Sequence, residues 1–292
     1  GLNTIDYDAE RCDIFTDPVK KRSIFSNEAL LNVNLGPDVK LVPDFAFAGC
    51  SRLALITIPE KCEQIGKYAF QGCTALRKIV IPENIKTIGG GAFEGCTGLT
   101  DITFNAINCL SMKSVEKGVT YSAFMNTPAT KITIGPKVEQ IPDFAFFGCT
   151  MTNEIKWGKT LSKIGAMAFA HVNGLMELTI PEHITSIGGG AFSDCENLAI
   201  VNFNAINCVG AFSLASDTTI YPFGGKNKLK DVYFGKKVKT IPEGIFKGCE
   251  QIKLIEIPAG ITTIGALAFA DCVMLTNVYF NATNCEVASG TA

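Results

Sequence analysis

The stretch from Thr87 to Cys109 is TIGGGAFEGCTGLTDITFNAINC, and it decides the fold because the chain repeats it. The pattern returns as SIGGGAFSDCENLAIVNFNAINC from Ser186 to Cys208. It returns again as TIGALAFADCVMLTNVYFNATNC, which ends at Cys285. Such long self-similarity within 292 residues indicates a repeat architecture rather than unrelated domains.

Phenylalanine marks a shorter period inside this pattern, usually after Ala and three residues before Cys. The marker residues are Phe25, Phe47, Phe70, Phe93, Phe124, Phe146, Phe169, Phe192, Phe223, Phe246 and Phe269. Steps of about 23 residues are typical of a solenoid whose stacked coils bury a shared core. We therefore expect about eleven coils in a single domain over residues 1–292, which begins and ends within a motif and suits a segment of a longer chain.

Each coil contains the same predicted elements in the same order. The segment LRKIVIP (Leu76 to Pro82) alternates apolar and polar residues, which predicts a short strand that the proline ends. A second apolar pair, such as Ile85 and Ile88, predicts a second short extended segment. The Ala-Phe-x-x-Cys element that follows predicts one helical or 3₁₀ turn. Stacking in register would place equivalent side chains about 4.8 Å apart, so the Phe, Ile and Leu columns form internal ladders.

The combined pattern, L-x-x-I-x-I-P followed by I-x-x-I-G-x-x-A-F-x-x-C, resembles the BspA-like leucine-rich repeat family. The resemblance extends from Ile24 to about Cys285. It implies a right-handed solenoid with a parallel sheet along one face. It also implies a microbial protein that is extracellular or displayed on the cell surface, with adhesion as its activity.

Composition excludes several classes of partner. The chain has 26 basic and 28 acidic residues, a net charge of −2, and so no cationic surplus to neutralise nucleic acid. No apolar run approaches the roughly 18 residues that a membrane helix needs. We expect neither membrane insertion nor a signal peptide in this chain.

Cysteine first suggests disulfides or metal, since the chain has 12 cysteines. Seven of them share the slot three residues after the marker phenylalanine: Cys50, Cys73, Cys96, Cys149, Cys195, Cys249 and Cys272. In the coils next to Cys149 and Cys195 that slot holds other residues, so these two would lack partners. We therefore expect a column of buried thiols that act as small hydrophobes. Cys62 stands alone and is the best candidate for an exposed thiol, although a core position is favoured.

Catalytic and metal chemistry lack their usual residues. The two histidines, His171 and His183, fall in turns and cannot complete several zinc sites. The glycine triplet at 89–91 lacks the Lys-Ser/Thr of a phosphate-binding loop, so it is interpreted as a turn. We predict no catalytic residue, no metal, no cofactor and no enzymatic activity.

Binding is then expected on a surface, and the outward side of the strands is the broadest one. Apolar and aromatic residues enter these outward columns toward the C-terminus, namely Ile200, Tyr233, Leu254 and Tyr279. Exposed tyrosine beside aliphatic side chains suits a protein contact, and ordinary surface variation is the alternative. Two lengthened coils, at residues 110–123 and 209–222, are further binding candidates or else structural bulges.

Three functions follow from this pattern. The first is a non-enzymatic adhesion module that binds a protein ligand, such as an extracellular matrix or host-cell surface protein, through the strand face or the lengthened coils. The second is a structural spacer that holds another domain away from the cell. The third is carbohydrate binding through Tyr233 and Tyr279.

Overall fold

The chain folds into a β-solenoid of about 11 turns with a repeat of about 23 residues. The computed structural model describes residues 30–209 and 220–288 and the backbone of the strand Thr4–Tyr7, and these residues form strands and turns without helix. Contacts divide the chain into two compact units. The N-terminal unit comprises Gly1–Val138 and Phe144–Gly158, and the C-terminal unit comprises Glu139–Asp143 and Lys159–Ala292. A single domain over residues 1–292 stays a prediction.

The described part of the chain contains twenty-three strands, which alternate between four-residue and two-residue lengths in most coils. In chain order the first thirteen are β1 (Thr4–Tyr7), β2 (Asn32–Leu35), β3 (Leu41–Val42), β4 (Leu55–Ile56), β5 (Gln64–Ile65), β6 (Lys78–Ile81), β7 (Thr87–Ile88), β8 (Asp101–Phe104), β9 (Lys113–Glu116), β10 (Val119–Ser122), β11 (Lys131–Ile134), β12 (Gln140–Ile141) and β13 (Glu154–Lys156). The remaining strands are β14 (Lys163–Ile164), β15 (Glu177–Ile180), β16 (Ser186–Ile187), β17 (Ile200–Phe203), β18 (Asp231–Phe234), β19 (Thr240–Ile241), β20 (Leu254–Ile257), β21 (Thr263–Ile264), β22 (Asn277–Phe280) and β23 (Glu286–Val287).

Strands of successive coils pair in parallel, as predicted. The longer strands form the sheets β1-β2-β4 and β6-β8-β11-β13 in the N-terminal unit, and β15-β17-β18 and β20-β22 in the C-terminal unit. The short strands form the sheets β3-β5-β7, β12-β14-β16 and β19-β21-β23. Equivalent residues pair in register, for example Ile79 with Ile102 and Ile102 with Ile132. This register places repeated side chains in columns.

Alternation along each longer strand separates core from surface. In β6, Ile79 and Ile81 are buried whereas Lys78 and Val80 are exposed. Strand β22 differs, because its inward residue Phe280 keeps 50% of its surface exposed. Within the described residues no further coil packs over β22, so its apolar face stays uncovered.

The predicted phenylalanine ladder is present in each unit. In the N-terminal unit the rings of Phe47, Phe70, Phe93, Phe124 and Phe146 stack with centroids 4.8 to 5.9 Å apart. In the C-terminal unit those of Phe169, Phe192, Phe223, Phe246 and Phe269 stack at 5.2 to 5.9 Å. Each aromatic pair adds about 0.5 to 1.5 kcal/mol beyond its buried area. Phe25 lies outside the described residues.

The Ala-Phe-x-x-Cys element forms a single turn with 3₁₀-type hydrogen bonds. The Cys73 N–H donates to the Phe70 carbonyl (3.1 Å), which closes the turn within the coil. The Phe70 N–H instead donates to Ala92 of the next coil (2.7 Å). Because donors alternate between the same coil and its neighbour, the turn does not extend into a helix.

The glycine triplet serves this turn, which confirms its interpretation. At Gly89 a side chain would collide with the backbone of Lys67 in the preceding coil. Gly91 has a φ of 67°, a left-handed conformation that glycine adopts freely, and an added Cβ would meet the ring of Tyr68. The triplet therefore allows close coil contact followed by a left-handed bend.

Candidate functional site

The cysteine column lies in the core. All seven cysteines of the repeated slot are buried, and the eleven cysteines that the structure describes are free thiols. The Cys96 thiol donates to the Phe70 carbonyl (3.1 Å), and the Cys195 thiol donates to that of Phe169 (3.3 Å). The thiol therefore satisfies a backbone acceptor of the preceding coil, a role that sequence analysis did not identify. Cys62 is buried as well, as favoured.

Burial makes these thiols poor nucleophiles. It raises the pKa of Cys96, Cys149 and Cys195 to about 12, so they stay protonated at neutral pH. The thiolate is the reactive form, and its formation is suppressed in this column. Cys109 and Cys285 are partly exposed. The column is thus a packing element, as predicted.

The two histidines lie in turns, as predicted. His171 adopts a φ of 59°, and its Nε2 lies 4.0 Å from Asp194 Oδ2. His183 is exposed in the turn after β15. Within residues 30–209 and 220–288, no group of three or more His, Cys, Asp or Glu side chains could hold a metal ion. The same part of the chain has no helix long and apolar enough to cross a bilayer.

The four predicted binding residues lie on the outward side of the longer strands of the C-terminal unit. Ile200 is in β17, Tyr233 in β18, Leu254 in β20 and Tyr279 in β22. Tyr233 and Tyr279 are each 58% exposed, and Leu254 is 43% exposed. Ile200 is half-buried. We call these four residues the tyrosine patch.

Carboxylates separate the members of the tyrosine patch within each column. Asp231 pairs in register with Ile200, and Glu256 pairs with Tyr279. Strand β20 lies beside β18, so the four residues lie on successive longer strands. Ile200 and Leu254 are the first residues of their strands, whereas Tyr233 and Tyr279 are the third residues of theirs. The structure therefore brings the four residues onto one face without stacking them directly.

Amide side chains hold two carboxylates of this face. Asn202 Nδ2 donates to Glu177 Oε1 (2.6 Å), and Asn281 Nδ2 donates to Glu256 Oε1 (3.1 Å). Both bonds connect adjacent coils, so each carboxylate is fixed by the coil that follows it. The remaining acceptor positions of these carboxylates face the surface, since both are exposed.

The sheet face of the N-terminal unit has a different character. A hollow of about 430 Å³ lies on it, lined by Lys78, Asp101, Lys131 and Thr103 among others. Basic and acidic residues alternate at the first position of the strands that line it, namely Lys78, Asp101 and Lys131. Lys131 also lies 4.0 Å from Glu154. Sequence analysis did not predict this hollow, because its depth depends on how three strands curve together.

The first lengthened coil, predicted at residues 110–123, forms an antiparallel β-hairpin. Its strands β9 and β10 pair with Val115 opposite Thr120. At the turn, Lys117 and Gly118 both have positive φ (49° and 79°), as a type I′ turn requires. Sequence analysis missed this hairpin, although alternating residues on both sides of Lys-Gly are its signal.

One face of the hairpin base packs on the coil before it. The Gly90 N–H donates to the Ser114 hydroxyl (2.8 Å), and the Tyr121 ring meets Tyr68 edge-on at 6.2 Å. Burial and the nearby Glu116 carboxylate raise the pKa of Tyr68 to about 12. The base is therefore fixed in place by the preceding coil.

The other face of the hairpin packs on the coil after it. Lys113 Nζ lies 4.4 Å from the ring centroid of Phe144. The Ser122 hydroxyl donates to the Phe147 carbonyl of the same coil (2.9 Å). Val115 and Val119 near the turn are 62% and 51% exposed, and Leu110 just before the hairpin is 82% exposed. The hairpin thus combines a structural base with an apolar, accessible tip. Of the second lengthened coil, residues 210–219 lie outside the described residues.

A family comparison identifies the repeat. The model of the BspA type leucine rich repeat region matches residues 21–116, 117–221 and 216–290. The chain belongs to the BspA-type leucine-rich repeat family. The family resemblance seen in the sequence is thereby confirmed for this BspA-type protein. No curated protein matches the chain closely enough to count as a relative.

Solved structures resemble the BspA-type protein in fold. A leucine-rich repeat protein from Bacteroides ovatus ATCC 8483 is 22% identical, with 89% of this chain and 69% of that one covered and a TM-score of 0.50. A leucine rich cell surface protein from Faecalibacterium prausnitzii A2-165 is 20% identical, with 97% and 84% covered and a TM-score of 0.39. At 22% identity the likeness to the Bacteroides ovatus protein shows the fold alone.

Proposed function

We propose that this BspA-type protein is a non-enzymatic adhesion module, secreted or displayed at a cell surface, that binds a protein ligand through the tyrosine patch. The observation that carries the proposal is the exposure of Tyr233, Leu254 and Tyr279 on one sheet face. Large aromatic and aliphatic side chains at the centre of a face provide most of the affinity in protein interfaces. An extracellular matrix protein or a host-cell surface protein is the proposed partner.

The hairpin is a second candidate surface for the same function. Its support is the exposed Val115 and Val119 at a tip whose base is anchored on both sides. Because the base is held on both sides, less conformational entropy is lost when the exposed valines bind a partner, which favours affinity. Replacing both valines with serine is expected to abolish binding if the tip, rather than the tyrosine patch, is the contact.

A pull-down against matrix proteins and host-cell extracts tests the proposal. The double variant Tyr233→Ala/Tyr279→Ala is expected to lose the captured partner while its thermal midpoint stays nearly unchanged, because both side chains are mostly exposed. The matched control is Thr57→Ala/Thr103→Ala in the outward column of the N-terminal unit, which should retain binding. Failure of the unchanged protein to capture any partner would overturn the proposal, and a glycan-array signal lost in the tyrosine variant would favour carbohydrate instead.

A further inference from the structure

Lysines concentrate in one segment of the C-terminal unit, which comprises a coil and the start of the next one. Residues 224–258 hold eight lysines: Lys226, Lys228, Lys230, Lys236, Lys237, Lys239, Lys247 and Lys253. They also hold four acidic residues: Asp231, Glu243, Glu250 and Glu256. Eight minus four gives a local charge of +4, in a chain whose net charge is −2. We call residues 224–258 the lysine coil.

An equivalent coil 100 residues earlier shows that the fold does not require these lysines. Residues 124–158 hold three lysines and three acidic residues, a local charge of zero. The two segments make the same turn, because Val138 N–H donates to Gly135 (3.2 Å) and Val238 N–H donates to Gly235 (3.0 Å). Five positions that carry lysine in the lysine coil are occupied by Thr130, Pro136, Glu139, Phe147 and Asn153 in the earlier one. The additional lysines are therefore not required by the fold, and they add positive charge to the surface.

Several of these lysines already have partners. Lys237 Nζ lies 2.9 Å from Glu182, and Lys247 Nζ lies 3.7 Å from Asp271. Lys228 Nζ donates to the Asn197 side chain (2.9 Å). The Lys228 and Lys247 contacts join adjacent coils, whereas the Lys237 contact joins coils two apart along the stack. The other lysines of this segment form no ion pair within the described residues.

Three lysines frame the tyrosine patch. Lys230 and Lys253 immediately precede β18 and β20, and Lys236 follows β18 by two residues. All three are exposed, and within the described residues no carboxylate lies at ion-pair distance from them. Strand β18 has four residues and spans about 13 Å, with Lys230 before its first residue and Lys236 beyond its last. Between these two lysine margins lie Tyr233 and the acidic Asp231.

We propose that the tyrosine patch and its lysine margins bind an acidic protein segment that is apolar at its centre and carries carboxylates at both ends. This inference rests on the proposed protein-binding function and names the chemistry of the partner. Carboxylates of the partner would reach Lys230, Lys253 and Lys236, while apolar side chains pack on Tyr233 and Leu254. Asp231 and Glu256, the two carboxylates between members of the tyrosine patch, disfavour a partner that is acidic throughout, which is why an apolar centre is required.

Fluorescence anisotropy with a labelled random copolymer of glutamate and tyrosine tests this inference on the full chain. We expect the copolymer to bind, and the triple variant Lys230→Gln/Lys236→Gln/Lys253→Gln to weaken binding more than tenfold. Affinity should fall as salt rises from 20 to 200 mM, since exposed charges are screened over about a Debye length. A copolymer of lysine and tyrosine should not bind.

The matched control uses the equivalent coil. The variant Lys131→Gln/Lys137→Gln/Lys156→Gln removes the same charge from residues 124–158 and should change affinity less than twofold. Equal losses in both variants, or no loss in either, would overturn the inference. Tighter binding of heparin with the same lysine dependence would also overturn it, in favour of an anionic polysaccharide. If copolymer binding is lost in Tyr233→Ala/Tyr279→Ala but kept in the triple lysine variant, the acidic partner is refuted. The proposed protein-binding function of the tyrosine patch would then still be supported.

Discussion

The N-terminal and C-terminal units share an interior but differ in their sheet faces. Each has five stacked phenylalanine rings and thiols that donate to phenylalanine carbonyls. The N-terminal face carries the alternating charges of Lys78, Asp101 and Lys131 around a hollow, whereas the C-terminal face exposes Tyr233 and Tyr279. The repeat therefore constrains the residues at inward positions and leaves those at outward positions free to differ between the two units.

Removing one ring from each ladder is the strongest test of the shared interior. Phe93→Ala and Phe192→Ala should each lower the free energy of unfolding by about 3 to 5 kcal/mol, because each leaves a cavity between two stacked rings. Urea unfolding followed by circular dichroism measures both. The exposed Val80→Ala serves as control, with a change below about 0.5 kcal/mol. Markedly unequal losses would show that the two ladders are not equivalent.

Alkaline pH tests the thiol columns. Unfolded thiols titrate near 9, while burial raises the pKa of Cys96 and Cys195 to about 12 in the folded chain. A raised folded pKa means that stability is complete below pH 9 and is lost as pH rises toward 12. Each thiol should therefore contribute a loss of roughly 2 kcal/mol by pH 10.5. Unfolding of Cys96→Ala and Cys195→Ala between pH 8 and 10.5 should show a smaller alkaline loss than the unchanged protein, and an identical pH slope would contradict this.

The left-handed glycines allow a finer comparison. Gly91→Ala should destabilise by about 2 kcal/mol, because the methyl group meets the rigid ring of Tyr68 and φ is 67°. Gly190→Ala should cost less, about 1 kcal/mol, because its methyl group would meet the flexible Met167 thioether and the Ile220 side chain rather than a rigid ring. Thermal unfolding of the two variants measures the difference. Equal losses would mean that backbone strain, not the neighbouring side chain, sets the effect.

Cation–π contacts give the smallest expected effect. Lys113 Nζ lies 4.4 Å from the Phe144 ring centroid, and Lys247 Nζ lies 4.9 Å from that of Tyr221. Lys113→Met and Lys247→Met should each destabilise by about 0.5 to 1 kcal/mol. A stability gain at Lys113→Met would indicate that the contact does not hold the hairpin base.

The sequence pattern predicts the side chains of the interior and only some features of the surface. The phenylalanine column, the buried thiols and the parallel pairing follow from period and alternation, and the structure confirms them. The hairpin at Lys113–Ser122 was missed because its turn uses Lys117 and Gly118 rather than a commoner hairpin dipeptide. The thiol-to-carbonyl bonds were missed because donor and acceptor are 26 residues apart. The binding role of the tyrosine patch stays a prediction.

The period of about 23 residues and strand alternation are enough to show which side chains face inward, because they place the marker phenylalanines, the seven slot cysteines and the inward strand isoleucines in fixed columns. Only the tertiary structure decided what meets across coils: Glu256 beside Tyr279, Lys113 over Phe144, and lysines on both margins of the tyrosine patch. The physical reason is the stacking itself. Adjacent coils bring residues more than 20 positions apart into contact, and the side chains that meet there are set by register rather than by local sequence.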